Sequence, residues 1–153
     1  MITKIQSIYR RFPGKFWALV GTVFIDMIGG TLLYPFFALY ITQKFNVGMT
    51  QAGVLLGMMS LFGLFGNTIG GALTDKFGRK RIILFGLVFS ATSALTLGFV
   101  NEYLVLYPLI AVIGVLGSVS GPAHNAMVAD MLPEEQRNEG YGIIRVVANL
   151  SWI

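Results

Sequence analysis

Four long stretches with almost no charge dominate this sequence. They cover residues 16–41, 47–74, 82–101 and 103–131, and Asp26 is the one formally charged residue inside them apart from Asp130 at the end of the last. A helix needs about 20 apolar residues to cross roughly 30 Å of hydrocarbon. Helices also satisfy their own backbone hydrogen bonds, which a lipid-exposed segment must do. The pattern therefore predicts an all-α polytopic membrane protein with four complete transmembrane helices.

Composition narrows the chemistry that the chain can support. Hydrophobic residues make up 55% of the sequence and charged residues 12%, a balance more apolar than soluble domains show. The sequence has no cysteine and one histidine, which excludes a thiolate metal site and leaves little for a zinc or nucleophilic centre. We therefore expect no cofactor and no enzyme activity. Because the basic residues lie at the ends of apolar stretches, we expect the lipid bilayer as a partner and no nucleic acid.

A fifth apolar stretch begins at Tyr141, contains Arg145 and reaches Ile153 after 13 residues. Since this is too short to span a bilayer, we expect residues 1–153 to be an incomplete N-terminal transmembrane half, cut off within its fifth helix at 141–153. The alternative is a complete four-helix protein whose tail lies on the membrane surface.

The basic residues predict the orientation of the spans. One side of the membrane would carry nine of the eleven Lys and Arg residues: Lys4, Arg10, Arg11, Lys15, Lys76, Arg79, Lys80, Arg81 and Arg137. The other side would carry Lys44 alone, and Arg145, the eleventh, lies within the fifth apolar stretch. Because basic residues accumulate in cytoplasmic loops, this bias predicts a cytoplasmic N-terminus in a plasma (inner) membrane.

Glycine and proline patterns suggest close packing and local bends. Three glycine pairs four residues apart would let helix backbones approach: Gly53 with Gly57, Gly66 with Gly70, and Gly117 with Gly121. Packing and a specific gating role both remain open for them. Pro35 and Pro122 lie inside spans and should bend or weaken their helices locally.

The segment GGALTDKFGRKR, residues 70–81, separates the second and third spans. Asp75 would lie at the C-terminal, negative pole of its helix, which costs up to about 1 kcal/mol unless a cation compensates. Arg79, four residues later, could supply that cation, and Gly78 the freedom for a sharp reversal. Asp130 has the same problem at the end of the fourth span. The orientation of the spans in the membrane is enough to explain the basic residues of this segment. It does not explain Asp75 or Asp130.

The stretch after Asp130 reads DMLPEEQR. Pro133, Glu134 and Glu135 are placed as the first turn of a new helix should be, because acidic residues favour the positive pole. Arg79 or Arg137 could bridge the two aspartates.

These segments together resemble a known family. Seven residues match the loop signature between helices 2 and 3 of the major facilitator superfamily in order and spacing: Gly71, Asp75, Lys76, Gly78, Arg79, Lys80 and Arg81. The stretch Asp130-x-x-Pro133-x-x-x-Arg137 resembles the segment directly after helix 4 in that family, and Gly114 with Pro122 and Ala123 resembles part of helix 4 itself. The resemblance covers essentially the whole chain and implies the first four and a half helices of a six-helix half.

The resemblance also implies a conformational latch. In the family this loop is thought to hold the cytoplasmic ends of the two halves together in the outward-facing state. Carried over, Asp75 would face a helix of a C-terminal half of the same protein, and Arg79 would pair with Asp75 and Asp130. One half would then rock against the other about a site near the bilayer centre.

Asp26 is the leading candidate for a substrate or proton-coupling site. It lies about 15 Å into the first span, where an acidic residue costs about 2.5–3.5 kcal/mol and normally faces a cavity or a partner. Gly30, Leu33 and Phe37 follow at a spacing that shares its face. An apolar and aromatic surface around a carboxylate suits a lipophilic, cationic ligand. A packing role for Asp26 is the alternative.

Arg145 and His124 are further candidates. Arg145 could reach either a cavity or the membrane interface, and His124 could join a proton path or pack through a hydrogen bond. The stretch GTLLYPFFALYI of the first span resembles the drug:proton antiporter branch of the superfamily. In that branch a second proline is frequent where Ala38 stands here, and an arginine is usual where Ile110 stands. Arg145 or a residue of the other half would have to replace that arginine, or the coupling differs.

The sequence therefore predicts a secondary active transporter that exports small lipophilic compounds by alternating access, driven by protons. Its partners would be the bilayer, a small-molecule substrate, protons and the C-terminal half of the same protein. The alternative is a small, self-contained four-helix membrane protein that acts as a dimeric carrier or structural subunit through its glycine faces.

Overall fold

The computed structural model describes residues 11–151, apart from the side chains of residues 32–35. This part of the chain is helical and contains no strand. Its helices, in chain order, are α1 (Gly14–Phe45), α2 (Met49–Phe77), α3 (Arg79–Phe99), α4 (Tyr103–Ser118), α5 (Ser120–Met131) and α6 (Glu134–Leu150). Four segments are long and apolar enough to cross a membrane: α1, α2, α3 and the combined Tyr103–Met131. The predicted all-α polytopic fold is confirmed.

A single residue joins α2 to α3. Gly78 has φ 87° and ψ 145°, a conformation that side chains with a Cβ rarely adopt. Its N–H donates to Thr74 O (3.0 Å), and its carbonyl accepts from Ile82 N–H (3.3 Å). The same residue therefore ends one helix and begins the next, as the sequence predicted. At the end of α1, Asn46 takes a left-handed conformation with φ 52°, which asparagine tolerates better than most residues.

The fourth span is not one regular helix. Its backbone pattern is interrupted at Val119, whose N–H donates to Leu116 O at 3.4 Å across a tighter turn. Pro122 lies four residues after Ser118, so its ring crowds the Ser118 carbonyl and its nitrogen has no hydrogen to donate to it. The local weakening expected from Pro122 is thus seen as an interruption at Val119, about one turn before the proline.

Helix α6 begins before the apolar stretch that the sequence indicated. It starts at Glu134, directly after Pro133, and carries Glu134 and Glu135 in its first turn. These carboxylates favour the positive pole of the helix, as predicted. The apolar stretch from Tyr141 onward is thus the later part of a helix whose first turns are polar, and residues 152–153 lie outside the described residues.

The chain divides into two compact units. One unit combines the part of the chain up to Thr31 with residues from Asn125 onward, and the other is Leu32–His124. In the second unit α2 packs closely along α4 as far as Val119. Glycines permit this approach: a Cβ on Gly70 would lie 2.5 Å from Val119 O, and one on Gly114 would lie 2.6 Å from Met59 O.

A polar and aromatic cluster joins the end of α1 to the end of α3 in the second unit. Lys44 Nζ donates to Tyr40 Oη (2.8 Å) and to Gly98 O (2.9 Å), and Tyr40 Oη donates to Leu97 O (2.8 Å). The ammonium lies 5.2 Å from the centre of the Tyr40 ring and 5.7 Å from that of Phe45. A cation therefore lies beside carbonyls at the negative pole of α3.

Candidate functional site

The reversal between α2 and α3 brings Asp75 and Arg79 together. Arg79 Nη1 lies 3.7 Å from Asp75 Oδ1, a charge contact longer than a hydrogen bond. The Asp75 side chain is 78% exposed and that of Arg79 is 35% exposed. Exposed pairs contribute about 0–1 kcal/mol, so this contact is weak enough to break and reform. The predicted pair is present, and its role as a latch stays a prediction.

The other residues of the loop signature surround this pair. Lys76, Lys80 and Arg81 are exposed, and Lys76 Nζ lies 5.5 Å from the centre of the Phe77 ring. Gly71 lies one turn before Asp75, and a Cβ built there meets no described atom within 4 Å. The first turn of α3 therefore concentrates positive charge at a helix pole that is already positive.

Asp130 and Arg137 belong to the first unit. Asp130 is exposed near the end of α5, and Arg137 Nε donates to Leu132 O at 3.2 Å, just beyond that helix. A guanidinium at this position compensates the negative pole at which Asp130 lies. Pairing of Arg79 with Asp130, and bridging of the two aspartates by Arg137, stay predictions.

The start of the described chain is held to α6 within the first unit, a contact that sequence reasoning missed. Arg11 Nη1 lies 2.9 Å from Glu139 Oε2, and both side chains are partly exposed. Gly140 follows, and a Cβ there would collide with Leu132 and lie 3.5 Å from Phe16. Gly140 was the available signal for close packing at this turn of α6, but nothing local in the sequence indicated Arg11 as the partner of Glu139.

Asp26 lies in the first half of α1 and is half-buried. Among the described residues it makes no ion pair, with Arg145 or with any other cation. Gly29 and Gly30 follow it, and a Cβ on either would meet no described atom within 4 Å. The carboxylate is therefore bordered by open helix surface on its C-terminal side.

Phe37 lies inside a packed cluster of the second unit. It is 5% exposed, stacks on Tyr40 with ring centres 6.5 Å apart, and shares its cluster with Ile41, Leu55 and Ile110. Ile110, where the family's arginine is usual, is thus a core residue here. Leu33, the other apolar residue predicted on this face, lies outside the described side chains. Contact of Phe37 with a substrate stays a prediction.

Arg145 is exposed on α6. It shares a helix face with Glu134, Asn138, Tyr141 and Asn149, all of which are exposed. This polar stripe runs along most of the helix.

His124 is half-buried on α5. Its Nδ1 lies 3.1 Å from Ser120 O, and since a carbonyl only accepts, Nδ1 carries the hydrogen in this contact. Thr74, which sequence reasoning missed, is 1% exposed beside Asp75, and its hydroxyl has no hydrogen-bond partner among the described residues.

Comparison with known protein families gives a match over most of the chain. The model of the Major Facilitator Superfamily matches residues 19–153. The match begins in α1 and includes the α2–α3 reversal, the α5 end and α6.

Several curated relatives are transporters. A Na(+), Li(+), K(+)/H(+) antiporter of Planococcus maritimus is 30% identical over 138 residues, which are 87% of this chain and 32% of the relative. The uncharacterized MFS-type transporter YttB of Bacillus subtilis is 30% identical over 90% of this chain and 34% of its own length. Multidrug resistance protein MdtH of Salmonella typhimurium is 23% identical over 86% of this chain and 32% of its own length. The chain thus spans about a third of the length of these relatives.

Proposed function

Because the chain belongs to the major facilitator superfamily, we propose that it forms the N-terminal transmembrane part of a secondary transporter that exports small lipophilic compounds in exchange for protons. The relatives are about three times as long, so a C-terminal half would supply the other wall of the transport site. Family membership favours this function over a self-contained four-helix dimer and over an enzyme.

Asp26 is the observation that carries the proposal. A half-buried carboxylate within a 32-residue apolar helix, with no ion pair among the described residues, is costly in a bilayer unless it serves a site. The open backbone at Gly29 and Gly30 leaves room beside it for a ligand. Asp26 would bind a proton or a cationic substrate in turn, and this competition would couple the two flows. Arg145 and His124 would assist proton movement, and Phe37 would support the site from the apolar side.

The test replaces Asp26 in the full-length protein, reconstituted in proteoliposomes with an imposed pH gradient. Asp26→Asn keeps the size and removes the ionisable group, so export of a fluorescent lipophilic cation driven by the gradient should fall by about tenfold or more, which corresponds to about 1.4 kcal/mol or more. Asp26→Glu retains a carboxylate and should keep part of the coupled transport. Undiminished pH-driven export by Asp26→Asn at equal protein levels would refute this role.

The Asp75–Arg79 contact would form one side of the latch. At 3.7 Å between exposed groups it stabilises one state only weakly, which suits an element that opens in every transport cycle. Asp130 would join the pair in the closed state, Arg137 would hold the end of α5 in place, and Gly71 would admit a helix of the C-terminal half.

Cysteine accessibility in the full-length protein tests the latch. The 153 residues contain no cysteine, so single cysteines introduced here on both faces report the inward and outward states without background from this part of the protein. Asp75→Asn and Arg79→Ala should shift labelling toward the state in which the latch is open, whereas Glu135→Gln, which removes an exposed carboxylate from α6, should not. Equal labelling of all variants would contradict the latch.

A second candidate is exchange of monovalent metal cations for protons. It is favoured by the relative from Planococcus maritimus, whose name states that activity, and by the hard oxygen ligands that a carboxylate offers such ions. The same proteoliposomes distinguish the two proposals. If metal cations are exchanged for protons, an imposed Na⁺ gradient should change the luminal pH without any lipophilic substrate, and reversing the gradient should reverse the change. Export of the lipophilic cation that is insensitive to Na⁺ would favour the first proposal.

The proposed orientation places the N-terminus in the cytoplasm of a plasma (inner) membrane. It rests on the excess of Lys and Arg on one side, of which Lys4 and Arg10 lie outside the described residues. Gln43→Cys should react with a membrane-impermeant maleimide in intact cells, and Asn138→Cys only in inverted vesicles. The reverse pattern would overturn the orientation.

A further inference from the structure

One face of α3 presents bulky apolar side chains along its whole length. These residues, the α3 apolar column, are Leu84, Phe85, Val88, Leu95 and Phe99, and each is exposed, Val88 by 64% and Phe99 by 81%. They recur at spacings of one, three, four and seven residues, which keeps them on one side of the helix. The opposite side is buried through Ile82, Ile83, Gly86, Ser93 and Leu97.

The column has the dimensions and chemistry of a lipid-facing surface. From residue 81 to residue 99 the helix rises about 27 Å, close to the thickness of the hydrocarbon core. Thr92, the polar residue within the column, donates its hydroxyl hydrogen to its own helix at Val88 O (2.9 Å) or Phe89 O (3.0 Å). The Thr92 hydroxyl is therefore satisfied within its own helix and presents no unpaired hydrogen-bond donor to the lipid.

A cationic pair lies at the N-terminal end of the column. Arg81 falls on the same helix face as Phe85 and Val88, and Lys80 precedes it. Both side chains are exposed, and among the described residues neither makes an ion pair. Asp75 is the carboxylate of this reversal, and its contact is with Arg79. Two positive charges thus lie at the N-terminal end of the α3 apolar column, where a spanning helix would meet the lipid headgroups.

We propose that this face binds an anionic phospholipid, with the phosphate at Lys80 and Arg81 and the acyl chains along the α3 apolar column. The guanidinium presents paired N–H donors that match two phosphate oxygens, and the ammonium of Lys80 adds charge without that geometry. Each cation near an anionic membrane surface strengthens binding by about fivefold.

A lipid fits this face better than another helix does. Where two backbones approach closely in the second unit, glycine permits it, as Gly66 and Gly70 show against Val115 and Val119. The α3 apolar column has no glycine, so a second backbone cannot approach it as closely as Val115 approaches Gly66. Flexible acyl chains adapt to such a surface, but they do not favour one lipid over another. The headgroup phosphate provides that preference, because its negative charge complements Lys80 and Arg81.

This interaction is independent of the transported compound and of the coupling ion. Since Lys80 and Arg81 directly follow the Asp75–Arg79 contact, a bound phosphate would lie beside the α2–α3 reversal. The lipid composition of the membrane would then act on the same loop through local electrostatics.

The test measures lipid binding to the purified full-length protein in a neutral detergent by native mass spectrometry. Phosphatidylglycerol and phosphatidylcholine with identical acyl chains are titrated separately. The wild type should bind phosphatidylglycerol at least fivefold more tightly, and Arg81→Gln should lower that preference by about fivefold. Lys15→Gln, which removes an exposed cation from the start of α1, should change it by less than twofold.

Further variants separate the contributions. Arg81→Lys keeps the charge without the fork and should lose less than Arg81→Gln, whereas Lys80→Gln provides a second probe if Arg81→Gln does not fold. Val88→Asn should weaken both lipids, and glycerophosphoglycerol, which lacks acyl chains, should not displace the bound lipid. Equal binding of the two lipids by the wild type, equal loss in Arg81→Gln and Lys15→Gln, or displacement by the chain-free headgroup would each overturn the proposal.

Discussion

Helix α2 carries two glycine pairs with the same spacing in different surroundings. Gly66 and Gly70 are buried against backbone: a Cβ on Gly66 would collide with Val115 O and lie 2.8 Å from Val115 C, and one on Gly70 would lie 2.5 Å from Val119 O. Gly53 and Gly57 lie earlier on the same helix, and a Cβ on either meets no described atom within 4 Å. One motif thus closes a helix contact in one place and leaves a helix surface open in the other.

The difference shows that the four-residue spacing permits close approach without causing it. Gly66 and Gly70 lie on the helix face that also buries Ala52, Gly63 and Thr74, whereas Gly53 and Gly57 lie on an adjacent face. The backbone of Val115 in α4 and of Val119 directly after it closes the first pair. Four substitutions test this contrast through the thermal unfolding of the purified full-length protein.

The largest effect is expected for Gly66→Ala. The new methyl group would overlap the backbone of Val115, which cannot rotate away as a side chain can, so α2 and α4 must separate. We expect a loss of about 3 kcal/mol of stability, the upper part of the range for overpacked cores. A melting temperature equal to that of the wild type would show that α2 and α4 do not pack this closely.

Gly86→Ala should be the next most harmful change. Its Cβ would lie 2.5 Å from Ser120 Cβ and 2.7 Å from Ser120 Oγ, and rotation of the hydroxyl does not relieve the first contact. We expect a loss of about 2 kcal/mol. Ser120→Gly removes both atoms, so the double variant should recover much of the loss beyond the sum of the single effects. Additive single effects would contradict direct contact between these residues.

Gly63→Ala should have a smaller effect. The nearest atom to its Cβ is Ser118 Oγ at 2.8 Å, and Ser118 Cβ lies 3.7 Å away, an ordinary contact. Because a hydroxyl can change rotamer, we expect a cost of about 1 kcal/mol. Gly63→Ala combined with Ser118→Ala should unfold close to the Ser118→Ala temperature. A loss as large as that of Gly66→Ala would mean that α4 cannot adjust at this position.

Gly57→Ala should have the smallest effect and the opposite sign. No described atom lies near the new methyl group, and alanine favours the helix over glycine by up to about 1 kcal/mol. Thermal stability should stay constant or rise slightly, and Gly53→Ala should behave in the same way. Marked destabilisation of the full-length protein by either change would show that a helix outside residues 11–151 covers this face.

Much of the local structure followed from the sequence. Gly78 between two apolar runs predicted the reversal because few other residues adopt its backbone conformation, and Pro122 predicted a defect in the fourth span. Glu134 and Glu135 after Pro133 predicted the start of α6. These features depend on residues that are close in the chain, so local rules were sufficient.

The candidate site was less accessible to sequence reasoning. Phe37 shares a helix face with Asp26 by periodicity, yet it is packed against Ile41, Leu55 and Ile110 in the second unit. Periodicity groups residues along one helix, whereas burial depends on which other helix lies against each turn. The contact of Arg11 with Glu139 was missed for the same reason, since its partners are 128 residues apart.

The sequence by itself determined that this chain forms membrane helices, where they reverse and which superfamily it resembles. These properties follow from the length of apolar runs, the need of each helix to satisfy its own backbone, and residues with special backbone conformations. Tertiary structure alone decided that Gly66 and Gly70 are covered, that Gly53 and Gly57 are open, and that α3 turns bulky side chains outward beneath Lys80 and Arg81. The physical reason is that in hydrocarbon all apolar faces have similar solvation, so only shape complementarity between particular helices selects which face is buried.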